Sequence, residues 1–256
     1  FGILLIPGLC ESNDMSSPEY PIVRALKNAI RNNFPIIGAQ SSDDWRFKKT
    51  YQFYNGKVYS DAIILSLVKT NLKFGINGRS AYKPINDKTY RIKVKNNSIV
   101  KISGRHDEPL YGPAINIYEK EIGIRHEEFK QILPLFIKEK ISQNVLMPIG
   151  AVNEPAITCY PIQLVGNGIR FEYNFDDNTL IQIKKTTKEL LVQNLNVAVK
   201  EAIEENNIQK PKLILLFPCC IFDAILSKMN INEIDSLKEQ NILSSARIVG
   251  TYTYGE

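Results

Sequence analysis

The sequence predicts a mixed α/β (α+β) fold built from two pseudo-repeated halves, each a mixed sheet flanked by helices. Two observations support this prediction. Several short runs of Leu, Ile and Val are too apolar to alternate with polar residues, as is typical of strands buried on both faces. In addition, one unit of strand, helix, strand and glycine turn occurs twice, over residues 2–44 and again over residues 213–256.

The two copies of this unit share their order of features. Each begins with an apolar run that ends in proline, GILLIPG at residues 2–8 and LILLFPCC at residues 213–220. A segment with helical character follows, then a shorter apolar run and a glycine, Gly38 or Gly250. Ligands of open α/β sheets usually bind at the carboxyl ends of strands. We therefore expect the two glycine turns to line one shared cleft.

The first half of the chain is predicted from turn and helix signals. Pro18 fits the first turn of a helix, and Asn55-Gly56 is the strongest short hairpin signal in the chain. The predicted elements are a strand at 2–6, a helix at 17–33, a strand at 36–37, a turn at 38–44, a hairpin of 51–54 with 58–68, a strand at 72–76 and a hairpin of 90–94 with 99–102.

The second half is predicted in the same way. Thr186-x-x-Glu189 fits a capping box for a long helix over residues 186–207. Proline at position 134 is expected to kink or divide another helix. The predicted elements are helices at 113–123, 126–140, 186–207 with an apolar stripe of Leu191, Leu195, Ala198 and Ala202, and within 221–241, and strands at 145–149, 157–165, 169–175, 180–183, 213–217 and 246–252.

Composition excludes several classes of protein. The chain has 256 residues, of which 44% are hydrophobic and 23% charged, with a net charge of +5. No basic block with interleaved aromatic residues suggests a nucleic-acid partner. No apolar run approaches the roughly 20 residues that a membrane span needs, so no membrane insertion is predicted.

Cys10, Cys159, Cys219 and Cys220 do not form a secreted-type framework, so we expect reduced thiols and a cytoplasmic location. Both ends are expected to be shortened relative to the natural protein.

The candidate ligand-binding residues lie in and around the two glycine turns. Carboxylates there could hold a ligand amine, while hydroxyls and backbone amides could hold a ligand carboxylate, and tyrosines offer flat contact area with a polar tip. The alternative is that the polar residues only form turns and helix caps. The candidates are Gly38, Ser41, Ser42, Asp43, Cys219, Gly250, Tyr252, Tyr254 and Glu256.

A catalytic role is a weaker hypothesis. Cys219 and Cys220 precede a predicted helix, whose N-terminus can lower a thiol pKa, so a cysteine-dependent hydrolase or transferase is one alternative. The only histidines, His106 and His126, are distant in sequence. Phosphate-binding, zinc and nucleophile-elbow motifs are absent. We therefore predict no enzyme, no catalytic residue, no metal site and no cofactor.

The order of these motifs resembles the FIST family, whose paired N- and C-terminal modules occur in intracellular signal-transduction proteins. The resemblance covers nearly the whole chain. Its strongest element is the closing GTYTYGE. The motifs that carry it are PIIG at 35–38, FYNGKVYSDA at 53–62, the hairpin at 90–102, GPAINIY at 112–118, LLFPCC at 215–220 and GTYTYGE at 250–256.

The resemblance implies a sensory module that binds a small ligand, an amino acid or related metabolite. It implies an N-terminal module over residues 1–108 and a C-terminal module over residues 109–256, with a signalling output domain or partner protein to receive the signal. The family brings no agreed catalytic residues. The alternative function is a protein-interaction scaffold or substrate receptor that takes no small ligand.

Overall fold

The computed structural model describes residues 1–8, 19–30, 34–44, 46, 48–103, 111–139, 147–153, 157–238, 243 and 246–255. The chain divides into two compact units. The first unit combines Phe1–Arg79 with Leu191–Glu256, and the second unit is Ser80–Leu190. The module boundary predicted at residues 108 and 109 lies outside the described residues and stays a prediction.

Mixed helices and sheets confirm the predicted fold class. The strands are β1 (Gly2–Ile6), β2 (Ile36–Gln40), β3 (Gln52–Tyr54), β4 (Lys57–Tyr59), β5 (Ile64–Leu67), β6 (Lys83–Pro84), β7 (Tyr90–Lys95), β8 (Ser98–Ser103), β9 (Tyr111–Pro113), β10 (Ile149–Ala151), β11 (Pro161–Val165), β12 (Gly168–Phe171), β13 (Leu180–Lys185), β14 (Leu213–Leu216) and β15 (Arg247–Gly250). The helices are α1 (Glu19–Ala29), α2 (Ala114–Ile122), α3 (His126–Glu139), α4 (Lys188–Glu204), α5 (Cys220–Lys228) and α6 (Glu233–Lys238).

The first unit contains two parallel strand pairs of the same form. β1 pairs with β2 in parallel, with α1 between them in the chain, and β5 adds to β1 in antiparallel fashion. β14 pairs with β15 in parallel, with α5 and α6 between them. Each strand–helix–strand motif therefore matches the unit that the sequence predicts twice.

The core of the second strand pair is formed against α4. It consists of Val199, Ile203, Leu216, Leu237 and Leu243, with further apolar side chains packed around it. In the predicted helix stripe, Leu191 is confirmed as buried and Leu195 packs against this core. In the second half of the stripe, the buried residues are Val199 and Ile203, one position after the predicted Ala198 and Ala202. Burial on both faces was wrong for this strand pair, because the core covers one face and leaves Leu213 57% exposed on the other.

The second unit is one large sheet with α2 and α3. Its strands follow the order β10-β13-β7-β8-β12-β11, and β6 and β9 pair with β13 and β8. The predicted hairpin of β7 and β8 is confirmed, with Asn96 and Asn97 at φ of 50° and 58° in its turn. Large side chains such as Tyr118 and Phe129 are fully buried in this unit.

Two predicted elements needed correction in the first unit. The hairpin at Asn55-Gly56 is confirmed, but its second arm is split into β4 and β5, with Asp61 at a φ of 50° between them. The strand predicted at residues 72–76 was wrong. Gly75 instead lies against α4, where a Cβ would fall 1.9 Å from the carbonyl oxygen of Ala202, so this segment packs on a helix rather than on a strand.

Helix ends also differ from the prediction. Thr187, not Thr186, caps α4, because its Oγ1 accepts a hydrogen bond from the Leu190 amide at 3.2 Å. The Thr186 hydroxyl instead donates to the Ala81 carbonyl at 2.8 Å. Pro134 does not divide α3, whose helical backbone continues from His126 to Glu139. Among the helices of the described residues, none has the length and hydrophobicity that crossing a bilayer requires.

Candidate functional site

The two glycines of the repeated unit occupy equivalent positions. Gly38 pairs with Leu4 across the first parallel strand pair, and Gly250 pairs with Leu216 across the second. A Cβ at Gly38 would fall 1.8 Å from the Leu4 carbonyl oxygen, and one at Gly250 would fall 2.4 Å from that of Leu216. Gly38 lies inside β2 rather than in the predicted turn, and Gly250 is the last residue of β15. Both glycines permit close strand approach, and the polar turns begin after them.

The turn after β2 is held together by its own side chains. Asp43 Oδ2 accepts hydrogen bonds from the amides of Lys48 at 2.7 Å and Lys49 at 3.1 Å. Ser41 Oγ accepts one from Gln52 Nε2 at 3.1 Å. This turn is therefore shaped before any ligand contacts it.

The C-terminal segment, residues 251–255, extends β15 past the end of β14. Its Thr253 amide donates to the Pro218 carbonyl at 3.0 Å, and the Cys220 amide donates to the Thr253 carbonyl at 2.8 Å. The side chain of Thr253 is 2% exposed. The pairing continues the parallel register to Cys219 and fixes where the two tyrosines of this segment lie.

The C-terminal segment then crosses the turn after β2. The Gln40 amide donates to the Gly255 carbonyl at 2.8 Å. The Ser42 hydroxyl donates to the Tyr252 carbonyl at 3.2 Å, and the Tyr254 hydroxyl donates to Asp43 Oδ1. Residues that are far apart in sequence thus meet within the first unit.

The predicted site residues therefore fall into three groups. Ser42, Asp43, Tyr252 and Tyr254 are brought into contact, with Ser41 beside them. Gly38, Gly250 and Cys219 belong to the strands and helix start that position this junction. Glu256 lies outside the described residues. Whether these residues bind a ligand stays a prediction.

Two acidic residues that sequence reasoning missed adjoin this junction. Asp223 lies in the first turn of α5, and Glu233 is the first residue of α6 and only 2% exposed. The Tyr252 hydroxyl hydrogen-bonds with both carboxyl groups. In the sequence, each acid looks like an ordinary acid of a first helical turn, so no local signal distinguishes them.

The environment of Glu233 changes the pKa of its carboxyl group. Burial, reinforced by the negative charge of Asp223, raises the pKa of Glu233 to about 7, while the hydrogen bond with Tyr252 opposes the rise. Burial also raises the pKa of Tyr252, and the two neighbouring carboxylates add to it. Glu233 is therefore a carboxyl group that exchanges its proton near neutral pH.

The cysteine pair sits at the start of α5. Cys219 is the N-cap residue, without a capping hydrogen bond from its side chain, and Cys220 is 6% exposed. His126 belongs to the second unit, where its Nδ1 lies 2.7 Å from Glu119 Oε1, and His106 lies outside the described residues. In the described part of the chain, no group of three or more His, Cys, Asp or Glu residues could hold a metal ion.

Comparison with known proteins establishes the class. Residues 1–105 match the FIST N domain and residues 114–256 match the FIST C domain, so the chain belongs to the FIST family, which confirms the resemblance. FIST domains are sensory domains of signal-transduction proteins and bind small ligands.

A relative in an archaeon extends this comparison. The uncharacterized protein MJ1623 of Methanocaldococcus jannaschii is 23% identical over 176 residues, which make up 68% of this chain and 33% of that protein. The match thus spans about a third of the relative's length. No solved structure matches the chain.

Proposed function

We propose that this chain is the ligand-sensing part of a signal-transduction protein and acts by binding, without catalysis. Its ligand is a small molecule, an amino acid or a related metabolite, bound where the C-terminal segment crosses the turn after β2. The observation that supports this site is the pair of bonds from Tyr254 to Asp43 and from Ser42 to the Tyr252 carbonyl. A ligand bound at this junction contacts both polar turns at once.

The hydrogen bonds of Asp43 suggest how a ligand acts there. This carboxylate already accepts the Tyr254 hydroxyl and the amides of Lys48 and Lys49. A carboxylate offers about four lone-pair sites, so little acceptor capacity remains. A ligand donor at Asp43 therefore competes with Tyr254 and shifts the C-terminal segment relative to the turn. An output domain or partner protein in the cytoplasm would detect that shift.

Thermal unfolding with a panel of the L-amino acids and small metabolites tests this proposal. A ligand at a hundredfold excess over its Kd stabilises the folded state by about 2.7 kcal/mol. We expect a stabilising compound whose effect is lost in Asp43→Asn. The matched control is Asp61→Asn, at an exposed position between β4 and β5 in the same unit. A compound that stabilises Asp43→Asn as strongly as the wild type would place binding elsewhere.

A protein-interaction scaffold is the second candidate function. Large hydrophobic side chains are exposed within residues 51–74, including Phe53 at 71%, Leu67 at 72% and Leu72 at 79%. Exposed apolar surface of this kind marks interaction sites when it is contiguous. A panel that yields no stabilising compound on a well-folded protein would contradict ligand sensing and favour this role.

A further inference from the structure

A cluster of three side chains, Asp223, Glu233 and Tyr252, lies beside the proposed ligand site. The Tyr252 hydroxyl hydrogen-bonds with both carboxyl groups. A phenol has one hydrogen to donate, so it can satisfy only one carboxylate. The other carboxyl must carry a proton and donate to the phenol oxygen, or remain as a second negative charge. The cluster therefore needs one positive charge, from a proton or from a cation.

The burial of Glu233 strengthens the need of the cluster for a positive charge. Its side chain is 2% exposed, and its Oε1 is buried without a hydrogen-bond partner among the residues that the structure describes. A buried polar atom without a partner is costly, and a buried unpaired charge more so. Within the same residues, the groups that act on Glu233 are Asp223 and Tyr252, neither of which is a cation. The positive charge must therefore come from outside the cluster.

We propose that this cluster binds the primary ammonium group of the sensed ligand. An ammonium has three N–H donors. The cluster has three matching acceptors: the Asp223 carboxylate, the Tyr252 oxygen and the unpartnered Oε1 of Glu233. A hard metal ion fits less well, because it takes six or more oxygen ligands. The proposal rests on the proposed function and names the part of the ligand that this unit recognises.

The position of the cluster suits this role. Asp223 and Tyr252 keep part of their surface exposed, while Glu233 is buried. The carbonyl of Tyr252 accepts the bond from Ser42, so the cluster adjoins the turn after β2. Asp43 in that turn is already occupied by three donors, whereas Glu233 still has an unused acceptor. The ammonium group is therefore bound by the acid pair, and Asp43 is left to another donor of the ligand.

A proton and an ammonium group compete for the negative charge of the Glu233 carboxylate. Glu233, with a pKa raised to about 7 by burial and by Asp223, holds a proton in slightly acidic solution. The titratable groups of the described residues that act on its pKa are Asp223 from α5 and Tyr252 from the C-terminal segment. Binding an ammonium releases the Glu233 proton. Apparent affinity then falls about tenfold for each pH unit below the pKa and levels off above it.

A pair of simple cations tests the ammonium site on the intact chain. Methylammonium chloride has three N–H donors, whereas tetramethylammonium chloride has the same charge and none. The Glu233 side-chain carbon is followed by NMR in protein labelled with 13C-glutamate, and Glu233→Gln identifies its signal. We expect methylammonium to lower the titration midpoint of Glu233, with the pH dependence given above, and tetramethylammonium at equal ionic strength to leave it unchanged.

Variants make the test specific. Glu233→Gln resembles the protonated residue, so methylammonium binding should become weak and independent of pH. Asp223→Asn should weaken it about tenfold or more, and thermal unfolding checks that both variants are folded. The control is Glu204→Gln on α4, whose side chain is 62% exposed. Equal responses to both cations, or no response of Glu233 to either, would overturn the proposal.

The amino-acid panel separates this inference from the proposed function. If a compound stabilises the protein and its N-acetylated form does so equally, ligand sensing stands and the ammonium site is wrong. If methylammonium acts at Glu233 but no amino acid or metabolite binds, the ammonium site stands and the proposed ligand class is wrong. Binding that is lost on N-acetylation and in Glu233→Gln supports both.

Discussion

Tyr254 donates a hydrogen bond to Asp43, which lies 211 residues earlier in the chain. The bond joins the last described turn to the turn that follows the first parallel strand pair. Asp43 in turn holds the amides of Lys48 and Lys49. One carboxylate therefore organises its own turn and anchors the C-terminal segment on it.

Removing the Tyr254 hydroxyl should destabilise the first unit. In Tyr254→Phe, the ring stays but Asp43 loses a donor, and hydrogen bonds to charged groups contribute about 1.5–3 kcal/mol. We expect Tyr254→Phe to decrease the free energy of unfolding, measured by urea denaturation, by an amount within this range. Tyr59→Phe on the exposed face of β4 is the control and should change little. Equal effects of the two substitutions would show that the bond to Asp43 contributes no stability.

The two strand glycines provide a second prediction. Gly38→Ala and Gly250→Ala each bring a Cβ against the carbonyl oxygen of the paired strand, at 1.8 Å and 2.4 Å. Because the strands must move apart, we expect a loss of about 1–3 kcal/mol or more, larger for Gly38→Ala. Gly78→Ala is the control, since nothing lies within 4 Å of its Cβ position. Thermal and urea unfolding measure the three variants; a neutral Gly38→Ala would refute the close-packing argument.

The sequence predicts those parts of this arrangement whose determinants lie close together in the chain. Local signals worked where the determinant lies within a few residues, as at the Asn55-Gly56 hairpin and the repeated apolar runs. They failed at Gly75, because a glycine that passes over a helix carbonyl and a glycine in a strand look alike in sequence. The junction of the two turns was expected, since both follow parallel strands. Glu233 was missed because its burial is created by packing that no local pattern encodes.

The titration of Glu233 predicts how stability depends on pH without any ligand. Its pKa is raised from 4.5 to about 7 in the folded protein, so the folded state holds the proton more tightly than the unfolded state. Where the unfolded state binds fewer protons, stability falls as pH rises. The contribution of Glu233 is thus fully present below about pH 4.5 and is lost as pH rises to about 7.

The free energy of unfolding, measured between these limits, checks this sign. For one titrating group, the free energy of unfolding changes by about 1.4 kcal/mol for each pH unit within this window. Solvent that reaches the carboxyl group makes the measured change smaller. Glu233→Gln should remove the decline, because an amide does not titrate. Glu204→Gln, at an exposed position on α4, should retain it. A decline of equal slope in Glu233→Gln would assign the effect to other groups.

Lys184 in the second unit predicts the opposite slope in alkaline solution. Its side chain is 3% exposed, and its Nζ donates to the Ile157 carbonyl at 3.0 Å and to Thr158 Oγ1 at 3.3 Å. Burial lowers its pKa below the usual value, while the charge of Cys159 opposes this shift. The unfolded state therefore holds the proton more tightly than the folded state, and stability contributed by this group rises with pH through the window below about 10.4.

Comparing neighbouring lysines isolates this contribution. Lys184→Met removes the titrating group, whereas Lys185→Met removes an exposed neighbour on the same strand. We expect the wild type and Lys185→Met to share the alkaline rise in the free energy of unfolding, and Lys184→Met to lack it. Lys184→Met should also lose stability at neutral pH, by about 1–3 kcal/mol, because the Ile157 carbonyl and the Thr158 hydroxyl lose their donor. An identical alkaline profile in both variants would show that Lys184 does not titrate with a lowered pKa.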